Sequence, residues 1–261
     1  MGEIYFGGPL DYNNQVYAVL GNIKLNQTGK EIHALIRKTD HDLTFVPYDD
    51  TDCNAGTVAR HPKDSAPKGV SDKPDAKMDN GEYQGARWFR GDPDDPTTDV
   101  DERENAVKGK GTGTGKGSDA TIKFTPGIYG QAWCHPEGDY GSKADEVLFH
   151  EMIHALRMMQ GKYNQIPLGD RFFGYENEEE YLAIIVTNVY MSANGVDNDG
   201  LRGGHDGHYA LQPPLNTSAG FLADPTNRKL MNIYRLVWAD AFLAIAGVDA
   251  AFNPFHELMN R

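Results

Sequence analysis

The segment Glu146 to Lys162, EVLFHEMIHALRMMQGK, constrains this chain more than any other. His150 and His154 stand four apart, with Glu151 directly after the first, among Val, Leu, Phe, Met and Ile. Both ends of a helix are written around them. Ser142-Lys143-Ala144-Asp145 fits the S/T-x-x-D/E capping pattern, and Gly161 supplies a C-terminal stop. Apolar side chains occur almost all round, which predicts a buried helix. Four residues make about one turn, so the two imidazoles project from one face. Two neutral imidazoles so placed can take the same zinc ion at about 2.0–2.1 Å. Glu151 lies about 100° round the helix, where it can flank the ion and deprotonate a bound water without being a ligand. Hydrogen-bonded core histidines are the plain alternative. The HExxH order inside a helix with marked ends favours a site holding one Zn2+.

The third ligand decides the class. A metzincin needs HExxHxxGxxH, but Arg157 and Gln160 stand where Gly and His should be. Cys134, in QAWCHPEGD, lacks the context of a deformylase ligand. A glutamate from a second helix remains, and YENEEEYLAIIVTNVYMSANG offers three in a row, Glu178 to Glu180, starting about 25 residues after His154. Acidic residues at a helix N-terminus also suit its dipole with no metal present. Asn177 as N-cap and Glu180 three residues later read as a variant capping box, which would claim Glu180 for its own helix. Glu179 shares a face with Leu182, Ala183, Val186 and Tyr190, and small Ala183 would let the His150 helix approach. Glu178 lies on a bulkier face. Glu179 is therefore the expected ligand, with Glu178 and Glu180 as alternatives. In the Gly-rich GGHDGH stretch, which holds His205 and His208, His205 or the nearby Tyr209 could steady an oxyanion. A solvated loop is the competing reading.

With FHEMIHALR followed by NEEEYLAIIVTN, the chain resembles the NleD-like family of bacterial effector zinc metallopeptidases over roughly residues 120–215. The resemblance implies a gluzincin-type protease, delivered into other cells by a specialised secretion system and acting on a protein of the target cell. The tail LRGGHDGHYALQPP departs from the family's familiar members.

The rest of the chain frames that core. Its 261 residues suit one large domain or two small ones, and a net charge of -13 disfavours nucleic acid or an anionic membrane as partner. No apolar run approaches the roughly 18 residues that span a bilayer, and the N-terminus lacks the pattern of a Sec signal peptide. Cys53 and Cys134 could form one disulfide or remain free thiols. Residues 1–61 read as a mixed region with strands at QVYAVLGNIKL and DLTFVPYDD. Residues 62–120 read as a flexible insertion, with one ordered piece at GARWFRG and a linker at GKGTGTGKGS. Residues 121–261 read as the catalytic core, whose strand Thr121–Thr125 is expected at the cleft edge, where it could pair with an extended substrate. The expectation is a single α+β domain of zincin type, with a buried HExxH helix, a small edge-strand sheet and a long loop-rich insertion. Its expected activity is zinc-dependent cleavage of a protein or peptide. A zinc amide hydrolase of another substrate and a non-catalytic zinc-stabilised binding module are the alternatives.

Overall fold

The computed structural model describes residues 1–48, 54–68, 113–131, 133–134, 141–165, 168, 174–197, 200–205 and 209–261. Its architecture is α+β. Four short strands form one sheet in the order β1-β2-β4-β3: β1 is Ile4–Phe6, β2 Leu43–Val46, β3 Gly56–Ala59 and β4 Ala120–Lys123. β1, β2 and β4 run parallel, while β3 is antiparallel to β4 with Thr57 opposite Ile122. Leu43, Phe45, Ala120 and Ile122 are buried and alternate with partly exposed Thr44 and Thr121, the period-two pattern of strands with one covered face.

Two sequence expectations change here. The stretch QVYAVLGNIKL is not a strand: it falls largely in helix α1, Leu10–Ile23. Its β-branched residues suggested a strand, but buried Tyr12, Val16, Leu20 and Ile23 recur at steps of four, four and three, which is helical spacing. The strand expected at Thr121–Thr125 is β4, and it lies inside the sheet, hydrogen-bonded to β2 on one side and β3 on the other. Among the described residues, the sheet edge beside the His150 helix is β3.

Helix α2, Gln27–Lys38, is capped by Asn26, whose Oδ1 accepts from the Thr28 and Gly29 amides. Short α3, Pro62–Ser65, opens the span expected to be flexible, and the end of that span is built structure. The Thr114, Gly115 and Gly117 amides donate to the carbonyls of Lys63, Ala66 and Asp64, and Ser118 N donates to Met158 O. Gly117, at φ 84°, lies so close to the Met159 carbonyl that a Cβ would collide with it. GARWFRG lies outside the described residues. Cys134 is buried and disulfide-bonded, so it is not the free thiol the sequence left open.

The centre of the molecule is an antiparallel pair of buried helices, α4 (Ala144–Met159) and α5 (Glu178–Ala193). Asp145 accepts from the Tyr190 hydroxyl at one end of the pair, and His154 meets Glu180 at the other. Between them the Phe149 and Tyr190 rings stack at 4.3 Å. Helix α4 starts after Lys143 with no side-chain cap, so the expected Ser142 box does not form. Its C-terminus follows the sequence, with Gly161 at φ 65° just beyond Gln160. Helices α6 (Ser218–Ala223), α7 (Pro225–Val237), α8 (Ala239–Ala246) and α9 (Pro254–Met259) add a largely aromatic layer. In it Phe221, Tyr234, Trp238, Phe242, Phe252 and Phe255 are buried. This layer braces the start of α5: Tyr181 donates to Asn227 Oδ1, and Tyr234 to the Glu178 carbonyl. No helix among the described residues is long and apolar enough to cross a membrane.

Candidate metal centre

One helical turn places His150 and His154 on the same face of α4, and the start of α5 lies opposite. Their Nε2 atoms are 3.0 Å apart. Glu180 Oε2 completes the group, 3.2 Å from His150 Nε2 and 3.3 Å from His154 Nε2. These three residues could hold a metal ion. Glu180, not the expected Glu179, is the carboxylate that faces both imidazoles. Asn177 does cap α5, its Oδ1 accepting from Glu180 N at 2.9 Å, but the Glu180 carboxylate serves the imidazoles instead of completing a capping box.

Each neighbouring glutamate has another partner. Glu178 accepts from Asn164 Nδ2 at 3.0 Å. Glu179 is fully buried against Arg157, whose Nε lies 2.8 and 2.7 Å from its two oxygens. Sequence reasoning used Arg157 only to exclude one class, and nothing local in the sequence announces this pairing across two helices.

Burial lowers the pKa of His150 to about 3, against the pull of Glu180, so its imidazole is neutral. Burial also disfavours a charged His154, but Glu180 and Glu179 outweigh it and carry that pKa well above the ordinary value. Glu180 is the counterpart: burial would raise its pKa, but His154 and His150 hold it well below the usual carboxylate range. His150 Nδ1 is buried and finds no hydrogen-bond partner among the described residues.

Glu151 leaves the helix on the side of β3. Its carboxylate accepts from Thr57 Oγ1 at 2.7 Å, and the same hydroxyl reaches its carbonyl oxygen at 3.1 Å. Burial raises the Glu151 pKa, opposed by His154 and the Thr57 bond. A buried carboxylate with raised proton affinity suits proton transfer.

His205 is brought to the centre. Its ring stacks on that of His150 at 5.9 Å, and its Nε2 is 3.6 Å from Glu180 Oε2. Its Nδ1 is 2.6 Å from Glu176 Oε1. Burial works against the charged imidazole, but the Glu176 bond and the Glu180 charge raise its pKa. Arg202 carries the strap, donating to the Gly204 and His205 carbonyls, while Asn188 of α5 grips the Arg202 backbone at both N and O. Tyr209, the other expected oxyanion residue, lines a cavity of about 230 Å³ with Tyr175, Tyr181, Asp224 and Asn227, and none of the described lining residues is a histidine. His208 lies outside the described residues. Thr57, Glu176, Arg202 and Asn188 were not singled out from the sequence, where they are ordinary polar residues remote from HExxH.

The family model described as an effector protein, Peptidase M91, matches residues 2–184, so the chain belongs to that family. This is an NleD-like effector peptidase family, as FHEMIHALR and NEEEYLAIIVTN implied. No curated protein and no solved structure matches the chain.

Proposed function

We propose that this member of the Peptidase M91 family is a zinc-dependent endopeptidase of gluzincin type, with His150, His154 and Glu180 as protein ligands. One observation carries the reading. Ligand atoms about 2.0–2.1 Å from a tetrahedral centre lie about 3.3–3.4 Å from one another. The three donor atoms here are separated by 3.0, 3.2 and 3.3 Å. Two imidazoles and one carboxylate are also a ligand set that zinc accepts in catalytic sites, where a fourth position stays open. Bound zinc would supply Lewis-acid polarisation of a peptide carbonyl and lower the pKa of water.

The chain's own groups supply the rest. Glu151, steadied by Thr57, takes the proton of the attacking water and passes it to the leaving amide nitrogen. His205 has Nδ1 committed to Glu176, and in its protonated form Nε2–H, too far from Glu180 Oε2 at 3.6 Å for a hydrogen bond, can donate to charge developing on the carbonyl oxygen. The outer edge of β3, beside Glu151, offers backbone groups to an extended peptide, the role first expected of β4. The family description supports the wider setting: an effector passed from a bacterium into another cell, where it cuts a protein.

The test has two arms. Metal analysis should find about one zinc per chain, lost in His150→Ala, His154→Ala and Glu180→Ala. N-terminal profiling of a target-cell lysate should then show new protein ends with wild type that are missing with Glu151→Gln. A folded protein that takes up no zinc sinks the metal site. Identical end profiles for the two proteins sink the peptidase.

A further inference from the structure

Glu179 and Arg157 form a fully buried ion pair that the proposed reaction does not use. Such pairs are weak devices for stability, because well-packed apolar residues of similar volume often do as well. The position of this one suggests another use. Glu179 Oε1 is shared between Arg157 Nε at 2.8 Å and His154 Nδ1 at 3.5 Å. Its Oε2 is shared between Arg157 Nε at 2.7 Å and the Asn164 amide at 3.0 Å. Arg157 is itself fixed: its Nη2 donates to the Lys162 carbonyl at 2.7 Å, and its guanidinium lies over the Trp238 ring at 5.2 Å. The carboxylate therefore has little freedom to turn, and it sits at the Nδ1 edge of His154, the ring nitrogen that does not point at His150 and Glu180.

We infer that Glu179, clamped by Arg157, is a positioning residue for His154, and the inference rests on the metal reading above. An imidazole that donates Nδ1–H to a carboxylate keeps its lone pair on Nε2. In neutral His154, the form a cation binds, that lone pair faces the space between His150 Nε2 and Glu180 Oε2. The carboxylate fixes tautomer and ring angle together and makes Nε2 a better donor to a cation. His150 has no such partner among the described residues, so His154 is the pre-oriented member of the pair. Glu179 and Glu180, adjacent in sequence and about 100° apart around the helix, serve the same imidazole from opposite sides.

The experiment is zinc affinity of the whole chain, measured by competition with a chromophoric chelator, beside the melting temperature of the metal-free protein. Two variants are used. Glu179→Gln keeps shape but removes charge. Arg157→Met combined with Glu179→Leu replaces the pair by apolar volume, so neither charge is left buried alone. The double variant should melt near wild type and bind zinc about 10–100-fold more weakly, the usual effect of losing an outer partner of a ligand. Glu179→Gln should fall between the two. Wild-type affinity in the folded double variant would leave the pair a purely structural role and overturn the inference. If the double variant does not fold, wild-type affinity in Glu179→Gln overturns it equally. Absence of zinc binding in wild type itself removes the metal reading and this inference together.

Discussion

Alanine placed in turn at Glu178, Glu179 and Glu180 should produce three different defects, because three consecutive residues leave one helix in three directions. Glu180→Ala removes a group that touches both imidazoles, and each imidazole can be neutral without it. The metal-free protein should therefore lose only the attraction between Glu180 and His154, a smaller loss than stranding a guanidinium that cannot shed its charge. What disappears is the gain on adding zinc. A ligand at about 100 times its Kd stabilises by about 2.7 kcal/mol, which for a domain of this size raises the melting temperature by about 5–11 °C. Glu179→Ala does the reverse. It leaves the Arg157 guanidinium, 2% exposed, without its carboxylate. Breaking a buried pair on one side costs about 3–5 kcal/mol, or about 6–20 °C, in the metal-free protein. A gain on adding zinc should survive, smaller in size. Glu178→Ala strands the Asn164 amide and costs about 1–3 kcal/mol with or without metal. Differential scanning fluorimetry of the three variants, with zinc and with chelator, reads all of this. The reasoning fails if Glu180→Ala keeps its zinc-dependent rise, or if Glu179→Ala loses that rise while melting like wild type without metal. The second pattern would make Glu179 the ligand after all.

Further outcomes follow from the same geometry. Glu151→Gln should retain zinc by elemental analysis and lose on the order of a hundredfold or more in turnover on a verified substrate, and near-normal turnover would remove Glu151 as the base. Thr57→Val, which deletes the 2.7 Å bond to that carboxylate, should slow turnover about tenfold or more with metal content intact. An unchanged rate would show that burial alone positions Glu151. His205→Gln should lower kcat about 10²–10³-fold with little change in KM, and the opposite split would assign His205 to substrate binding. Asp224→Ala, which removes the side-chain acceptor for the Thr226 and Asn227 amides, should cost about 0.5–2 kcal/mol in urea unfolding and leave zinc affinity unchanged.

Which parts of the centre could be read from sequence depended on how far the decisive interaction reached. His150, Glu151 and His154 were legible because one helical turn relates them, and that period belongs to the backbone rather than to the fold. The choice between Glu179 and Glu180 was not, because it depends on how α5 is rotated against α4. One residue is about 100° of helix, so a small change in the assumed facing side selects a different glutamate. By the 3.6-residue period Glu180 shares its face with Thr187 and Met191, which reads from sequence as the more polar side of the helix. Yet α5 is buried nearly all round, and Thr187 satisfies itself by donating to the Ala183 carbonyl at 2.8 Å. A polar-looking stripe of that kind carries no information about solvent.

The capping argument misled for a related reason. Asn177 needs only its own side chain to cap the helix, which leaves the Glu180 carboxylate available to whatever lies opposite. Two imidazoles from a helix about 25 residues upstream offered more than one backbone amide. Thr57 lies further out still, on a strand that only the assembled sheet brings to the candidate metal centre, and His205 was named from its Gly-rich stretch without its partner Glu176. Glu176 shows where a stronger signal was available. It stands four residues before Glu180, and it and His205 are both titratable groups beside an already suspected site. Pairing such groups by complementary charge, before judging faces by polarity, would have reached the Glu176–His205 dyad and placed Glu180 beneath it.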